Sequence, residues 1–310
     1  MAIHLLNLTS MNNNILVIGS TNTDMVVKAE HFPAPGETIL GGTFLMNPGG
    51  KGANQAVAAS RLGGQVTFIT KVGNDIFGKQ ALQQFRKENI RTDYAFSDSE
   101  HPSGVALITV DQHGENSIVV APGANAALRP EDLEKAADEF ARCQLLLMQL
   151  EVPLPTVVAA ADHATRHGKK VILNPAPAAE LPDKLLSQLF VITPNQSEAQ
   201  LLTGIRIDGQ DSLQAAARQL LDKGVANVIV TLGAEGAFLA NDAQYTYIAS
   251  QSVKAVDTTA AGDVFNGALA VALSEDMPIE EAVAFANRAA AISVTRMGAQ
   301  SSIPTRQEVD

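Results

Sequence analysis

The sequence has one cysteine, Cys143, in 310 residues. A lone thiol excludes an internal disulfide and a cysteine-based zinc cluster. Its setting, Arg142-Cys143-Gln144-Leu145-Leu146, reads as a packed, reduced side chain rather than a nucleophile. No apolar run reaches the ~18 residues that a membrane-spanning helix needs. Residues 1–14 show no basic start, no sustained apolar stretch and no small-residue cleavage site, so a cytoplasmic protein is expected. Basic residues are in deficit: 22 Lys and Arg against 33 Asp and Glu leave a formal charge of −11. Such a surface is a poor partner for nucleic acid or for a membrane, and a polyanionic ligand would need a local positive field or a metal. Familiar motifs are missing too. Lys51 is followed by Gly52, so there is no Gly-x-x-x-x-Gly-Lys-Ser/Thr and no P-loop ATPase. Gly-x-Gly-x-x-Gly, Gly-x-Ser-x-Gly and His-Glu-x-x-His are likewise absent, which weakens a dinucleotide dehydrogenase, an α/β-hydrolase and a zincin.

What is present is a core. Hydrophobic residues make up 46% of the chain and charged residues 18%, a balance that argues against disorder. Short apolar runs at 15–18, 66–69, 145–148, 171–173, 190–192 and 228–230 alternate with helical segments. The helices are expected at 52–62, 75–89, 130–142, 154–167, 195–203, 211–223, 262–274 and 278–296. Runs that are apolar without alternation mean strands buried on both faces, the pattern of a parallel sheet between helix layers. Two stretches, about 22–48 and 93–121, break this pattern. The first offers Met25–Val27 and Thr38–Leu40 as strands, and the second offers a hairpin of 104–110 and 117–120. They predict a small β-sheet inserted into an α/β domain spanning 14–304, with residues 1–13 as an N-terminal extension.

Ligands of open parallel sheets bind beyond the carboxyl ends of the strands. The residues following each apolar run are Gly19–Asp24, Glu151, Asn174, Thr193–Asn195 and Thr231–Gly233. Any one of them could cap a helix, and Asn195 before Gln196-Ser197-Glu198 is a plausible cap, but five together point to a polar cleft. Asn47-Pro48-Gly49-Gly50-Lys51-Gly52-Ala53-Asn54-Gln55 joins three glycines, which let a ligand approach closely, to donors on Lys51 and Asn54. Asp257-Thr258-Thr259-Ala260-Ala261-Gly262-Asp263 leads into a helix whose first N–H groups form an anion site. Asp263 is then either an ordinary acid of a first turn or a general base.

Gly49–Ala56, Asp257–Asp263 and Asn195-x-x-Glu198 resemble the two signatures and the Asn-x-x-Glu motif of the PfkB-type (ribokinase-like) carbohydrate kinases. The similarity runs from about residue 14 to residue 304. Gly36-Glu37-Thr38, Gly123–Leu128, Asn174–Ala178 and Val294–Gln300 resemble the ribose-phosphorylating branch. The resemblance implies a three-layer α/β/α sandwich with a mostly parallel central sheet and a small β-sheet lid. It implies transfer of the γ-phosphoryl group of ATP to O5 of D-ribose, with Mg²⁺ on the phosphates and a monovalent cation, usually K⁺, as activator. A homodimer through the lid is also implied.

Residue by residue, the resemblance makes Asp263 the catalytic base and the N–H groups of Ala260, Ala261, Gly262 and Asp263 an anion hole. The sugar site falls on Asn22, Thr23, Asp24, Gly50, Lys51, Gly52, Ala53, Asn54 and Glu151. The nucleotide site falls on Asn195, Thr231, Leu232, Gly233, Ala234, Glu235, Gly236, Gly262, Asp263 and Asn287, with Glu198 near Mg²⁺ through water. The cation loop falls on Asp257, Thr259, Ser293, Arg296, Gly298 and Ser302. Deoxyribose-specific relatives carry an apolar residue where this chain has Asn22, which favours ribose. The alternatives are a deoxyribose, fructose or nucleoside kinase of the same family, or a sugar-binding regulator without catalysis.

Overall fold

The structure, a computed structural model, describes residues 13–40 and 42–310. The expected extension therefore lies outside the described residues except for Asn13. Thirteen strands are found among the described residues. They are β1 (Asn14–Ile18), β2 (Asn22–Lys28), β3 (Thr43–Gly49), β4 (Gln65–Gly73), β5 (Ala95–Asp98), β6 (Gly104–Val110), β7 (Asn116–Ala121), β8 (Leu145–Met148), β9 (Lys170–Leu173), β10 (Val191–Ile192), β11 (Asn227–Thr231), β12 (Ala237–Asn241) and β13 (Tyr245–Ile248). The large sheet has the order β13-β12-β11-β10-β9-β8-β1-β4-β5. Its seven strands from β11 to β5 are parallel, while β12 and β13 add an antiparallel margin.

Both faces of the large sheet are buried. In β1, Ile15 and Val17 face one core, while Leu16 and Ile18 face the other. The first face carries the helices Lys51–Arg61, Ala261–Ser274 and Ile279–Ser293. The helix Ala261–Ser274 is buried from Asp263 to Ser274, as expected of a helix that is apolar on all sides. At Gly267 an added β-carbon would come within 2.8 Å of the Gln55 carbonyl. This close approach of two helices brings the start of Lys51–Arg61 beside Asp263.

The small sheet has the order β3-β2-β6-β7. Strands β2 and β6 are parallel, and both outer pairs are antiparallel. The expected hairpin of the second excursion is present as β6 and β7. The first excursion differs. Thr38–Leu40 is not a strand; Leu40 is exposed, and β3 begins only at Thr43. Register explains this, because Lys28 pairs with Thr43, so the segment holding Pro33, Pro35 and Gly36 forms the connection. The expected helix 130–142 is two short helices, Pro130–Glu134 and Ala137–Arg142. A tight bond from the Ala136 N–H to the Leu133 carbonyl breaks it and lets Leu133, Ala136 and Phe140 all bury.

Candidate active site

The C-terminal ends of β1, β8, β9, β10 and β11 meet the start of the helix Lys51–Arg61 and the start of Ala261–Ser274. The glycines at the first of these starts are filled by protein. A β-carbon on Gly49 would collide with the Asp24 carboxylate, and one on Gly52 with the Ser20 backbone. Gly50 has φ 91°, a left-handed conformation that suits glycine. Ala53 donates its N–H to the Ser20 carbonyl at 2.9 Å and is fully buried, so it packs rather than reaching outward.

Asp263 lies in the first turn of Ala261–Ser274 and is buried. Its Oδ2 accepts from Asn54 Nδ2 at 2.9 Å, and its Oδ1 accepts from Gln55 Nε2 at 3.0 Å. Burial pushes its carboxyl up, while the Lys51 ammonium and the two amides pull it back. The turn before it holds Ala260 at φ 61°, a conformation that costs a non-glycine residue about 1–3 kcal/mol. Among the described residues no acceptor takes the N–H of Gly262 or Asp263, so this turn presents free donors as a helix N-terminus does.

On the other side of Lys51, Glu151 Oε2 accepts the Lys51 backbone N–H at 2.9 Å and the Ser20 hydroxyl. Asn22 is buried at the head of β2, with its Oδ1 bonded to Asn125 Nδ2 at 2.8 Å. Thr23 and Asp24 follow, both half-buried. Burial first, then the charges of Glu151 and Asp263, push the Asp24 carboxyl up to about 6. For Lys51, burial works against the charged form. Asp263, Glu151 and Glu198 outweigh it and hold the ammonium above its ordinary value. A single cation thus sits among three carboxylates.

A cavity of about 210 Å³ is lined by Lys51, Asn195, Glu198, Thr231, Gly262 and Asp263, among others. A second, of about 350 Å³, is lined by Asn22, Asn125, Leu150, Glu151 and Pro177 on the side of the small sheet. A larger one, about 490 Å³, lies at the opposite edge of the strands around Asn14 and Arg91 and contains none of the candidate residues. Asn195 and Glu198 are also a helix cap. Asn195 Oδ1 accepts the Glu198 N–H at 2.8 Å, and Glu198 Oε2 accepts the Asn195 N–H at 2.9 Å. The cap reading of that motif therefore holds. Burial raises the Glu198 carboxyl. Leu232 to Gly236 form a turn beyond Thr231, with Gly233–Glu235 a short 3₁₀ segment that includes Ala234. Asn287 does not line the cavity; its amide donates to the Ile248 carbonyl at 2.9 Å.

The loop before Asp263 is tied by Asp257, which accepts from the Thr259 N–H and hydroxyl and from the Gly298 N–H at 2.8 Å. Partial burial raises its carboxyl, but these bonds outweigh that and hold it below the usual range. The hydroxyls of Ser293 and Ser302 turn back onto the carbonyls of Ala290 and Ala299. The Arg296 guanidinium pairs with Glu308. What this loop can offer a cation is oxygen alone, from one carboxylate, carbonyls and hydroxyls, which fits a hard monovalent ion. Among the described residues no three His, Cys, Asp or Glu side chains cluster as a metal cage. Mg²⁺ would then depend on phosphate and water oxygens, as it commonly does.

A profile of the pfkB family carbohydrate kinases matches residues 12–306. The chain belongs to this family. It is similar to a ribokinase of Haemophilus influenzae, 47% identical over 96% of this chain and 97% of that one. A deoxyribokinase of Salmonella typhi is 41% identical over 95% of this chain and 97% of its own. The structure of an Arabidopsis thaliana ribokinase complexed with ribose and ATP superposes with a TM-score of 0.91 at 31% identity, covering 96% of this chain and 97% of that one. Within a pfkB kinase the acid among the amides is the residue of interest. Sequence reasoning assigned no role to Gln55, Gln149, Gln300 or Ser20, although Gln55 lies inside the first signature and Ser20 in the segment after β1. Glutamine gives no positional signal of its own, and only the fold brings Gln149 to Gln55, Gln300 to Asn54 and Ser20 to Glu151.

Proposed function

We propose that this chain transfers the γ-phosphoryl group of ATP to O5 of D-ribose, giving ribose 5-phosphate and ADP. The observation that carries the reading is the Asp263 carboxylate, fixed by two amides at the floor of a cavity and beside the free N–H groups of a helix start. Asp263 takes the O5 proton as the O5–phosphorus bond forms and the bond to the β-phosphate breaks. A positioned base of this kind contributes about 10²–10⁴-fold. The N–H groups of Ala260, Gly262 and Asp263 and the Lys51 ammonium balance charge on the migrating phosphoryl oxygens, while the Ala261 N–H is taken by the Thr258 carbonyl. Asp24 and Glu151 accept from sugar hydroxyls, and the amides of Asn22 and Asn54 offer donors. Thr231 to Gly236 and Asn195 border the nucleotide, and Asn287 steadies the neighbouring strand. Mg²⁺, when bound, would supply charge neutralisation on the phosphates, and Asn195 and Glu198 are the side chains that would hold its waters. Asp257, Thr259, Ser293, Arg296, Gly298 and Ser302 would hold K⁺ and so order the loop that carries the anion hole.

Residues 14–304 act as one kinase domain, with 22–48 and 93–121 forming the lid. One face of this lid exposes Phe44, Met46, Leu107 and Val119, an apolar patch suited to a second copy of the chain. No helix among the described residues is long and apolar enough to cross a membrane, and an ATP-consuming sugar kinase belongs in the cytoplasm. The test is ATP-dependent phosphate transfer to ribose, 2-deoxyribose, fructose and nucleosides, with and without K⁺. Ribose is expected to be preferred and Asp263→Ala to abolish turnover while ribose still binds. Wild-type turnover in that variant ends the assignment. A preference for deoxyribose would move the chain to the branch of its Salmonella relative.

A further inference from the structure

Asn54 and Gln55 each present an amide N–H to Asp263; Gln55 Nε2 also donates to Asn174 Oδ1 at 3.1 Å, and the carbonyl of each is held by a further amide. Gln300 Nε2 donates to Asn54 Oδ1 at 3.2 Å, and Gln149 Nε2 donates to Gln55 Oε1 at 2.6 Å. Gln149 follows β8, and Gln300 opens the 3₁₀ turn Gln300–Ser302, which adjoins the loop tied by Asp257. All four amides are buried. The direction of these bonds follows from the centre outward. An ionised carboxylate only accepts, so Asn54 and Gln55 must turn their N–H groups to it and their carbonyls away. The outer glutamines must then donate. Both outer carbonyls, Gln149 Oε1 and Gln300 Oε1, are buried with no hydrogen-bond partner among the described residues. Two unpaired carbonyls in one cluster are a cost to stability. They are what remains when a site requires donors at two positions regardless of what happens to the other end of the amide.

We infer that Gln149 and Gln300 are positioning residues that lock the amides of Gln55 and Asn54 donor-first on Asp263, keeping that carboxylate ionised and aimed as a base. This rests on the reading of Asp263 as the base. The charged groups that face Asp263 are Lys51 from the helix Lys51–Arg61, Glu151 after β8, Asp24 from β2 and Glu198 from the helix Gln196–Thr203. Replacing the outer glutamines alters none of these charges. It removes the donor that holds the carbonyl of Asn54 or Gln55 away from the acid, leaving Gln55 only its bond to Asn174, and so makes it easier for that carbonyl to turn towards the acid, which disfavours its ionised form.

The test uses full-length Gln149→Met and Gln300→Met. It follows single-turnover transfer from ATP to ribose with Mg²⁺ and K⁺ across the pH range, with ribose saturating so that Asp24 stays engaged by the sugar. The acid limb of the rate profile is expected to move up by roughly 0.5–1 pH unit in each variant. The rate near pH 6 then falls several-fold more than the rate near pH 8.5. An unmoved limb, or a loss by the same factor at every pH, in a protein with the wild-type melting curve would overturn the inference. If the Met variants do not fold, the uncharged Gln149→Leu and Gln300→Leu are read in the same way, and a limb in its wild-type position there overturns it equally. Asp263→Asn separates the two levels. Near wild-type transfer in that variant removes the base assignment itself, whereas an inactive Asp263→Asn beside unmoved limbs in the glutamine variants removes only the positioning role.

Discussion

The backbone N–H of Lys51 donates to Glu151 Oε2 at 2.9 Å, across 100 residues of sequence. This bond ties the glycine-rich start of a helix to the end of a central strand. With the Ser20 hydroxyl on the same oxygen, it leaves Glu151 Oε1 to a ligand. Glu151→Gln keeps the shape but loses a charged acceptor. The KM for ribose should rise ~10–100-fold, as expected for a lost hydrogen bond to a charged group. The kcat should change by less than about 5-fold, because the contact is made equally in ground and transition states. Initial rates against ribose at saturating ATP measure this, and a fall in kcat at unchanged KM would count against it.

Asp24 gives a pH prediction with a definite sign. Its carboxyl is raised from 3.8 to about 6 in the folded protein, so the folded state binds its proton more tightly than the unfolded chain does. Ionised Asp24 therefore destabilises the fold fully above pH 6, and this penalty disappears as pH falls from 6 towards 3.8. Asp24→Asn should melt higher than the wild type at pH 7, by roughly 2–4 °C per kcal/mol relieved. It should lose that advantage near pH 4 and bind ribose poorly at both. Thermal melts at the two pH values check it; a lower melting temperature at pH 7 would contradict the account.

The central strands were legible because they are buried on both faces: Ile15–Ile18 and Leu145–Met148 are apolar at every position, which few other structures require. The small sheet was harder to read. Phe44, Leu45 and Met46 are exposed on β3, and Pro48 interrupts the pattern, so Thr38–Leu40 looked like the better strand. The margin strands β12 and β13 were missed because they are short and join through a tight turn at Asn241–Gln244. In the site, residues with strong chemistry stood out: Asp263, Lys51, Glu151. The residues that orient them did not. Gln149 and Gln300 are distant in sequence from each other and from Asp263, and their roles come from partners that only packing supplies.

Asn22 bears on substrate choice. Its Oδ1 is occupied by Asn125, so what it can offer a sugar is its N–H donors. Asn22→Met removes them and makes the pocket apolar there. A site built to bond a hydroxyl rejects the analogue that lacks it, so the substitution should shift the kcat/KM ratio of ribose to 2-deoxyribose by at least ~10-fold towards deoxyribose. Competition between the two sugars at fixed ATP gives the ratio directly, and an unchanged ratio would refute the assignment.

Asp257 links the Thr259 turn to Gly298. Asp257→Ala should abolish most of the rate increase seen on adding K⁺ while leaving the slow rate without it within about 3-fold of wild type, since the loop loses order rather than chemistry. Titrating K⁺ at constant ionic strength measures this. Wild-type activation in the variant would remove the cation role.

The most direct test of the whole account is a crystal structure of the protein with ribose and a non-hydrolysable ATP analogue. The account predicts the O5 hydroxyl within hydrogen-bond reach of Asp263, about 2.6–3.2 Å, with the terminal phosphate against the N–H groups of Gly262 and Asp263. A sugar seated with O5 away from Asp263, or a triphosphate directed elsewhere, would contradict it.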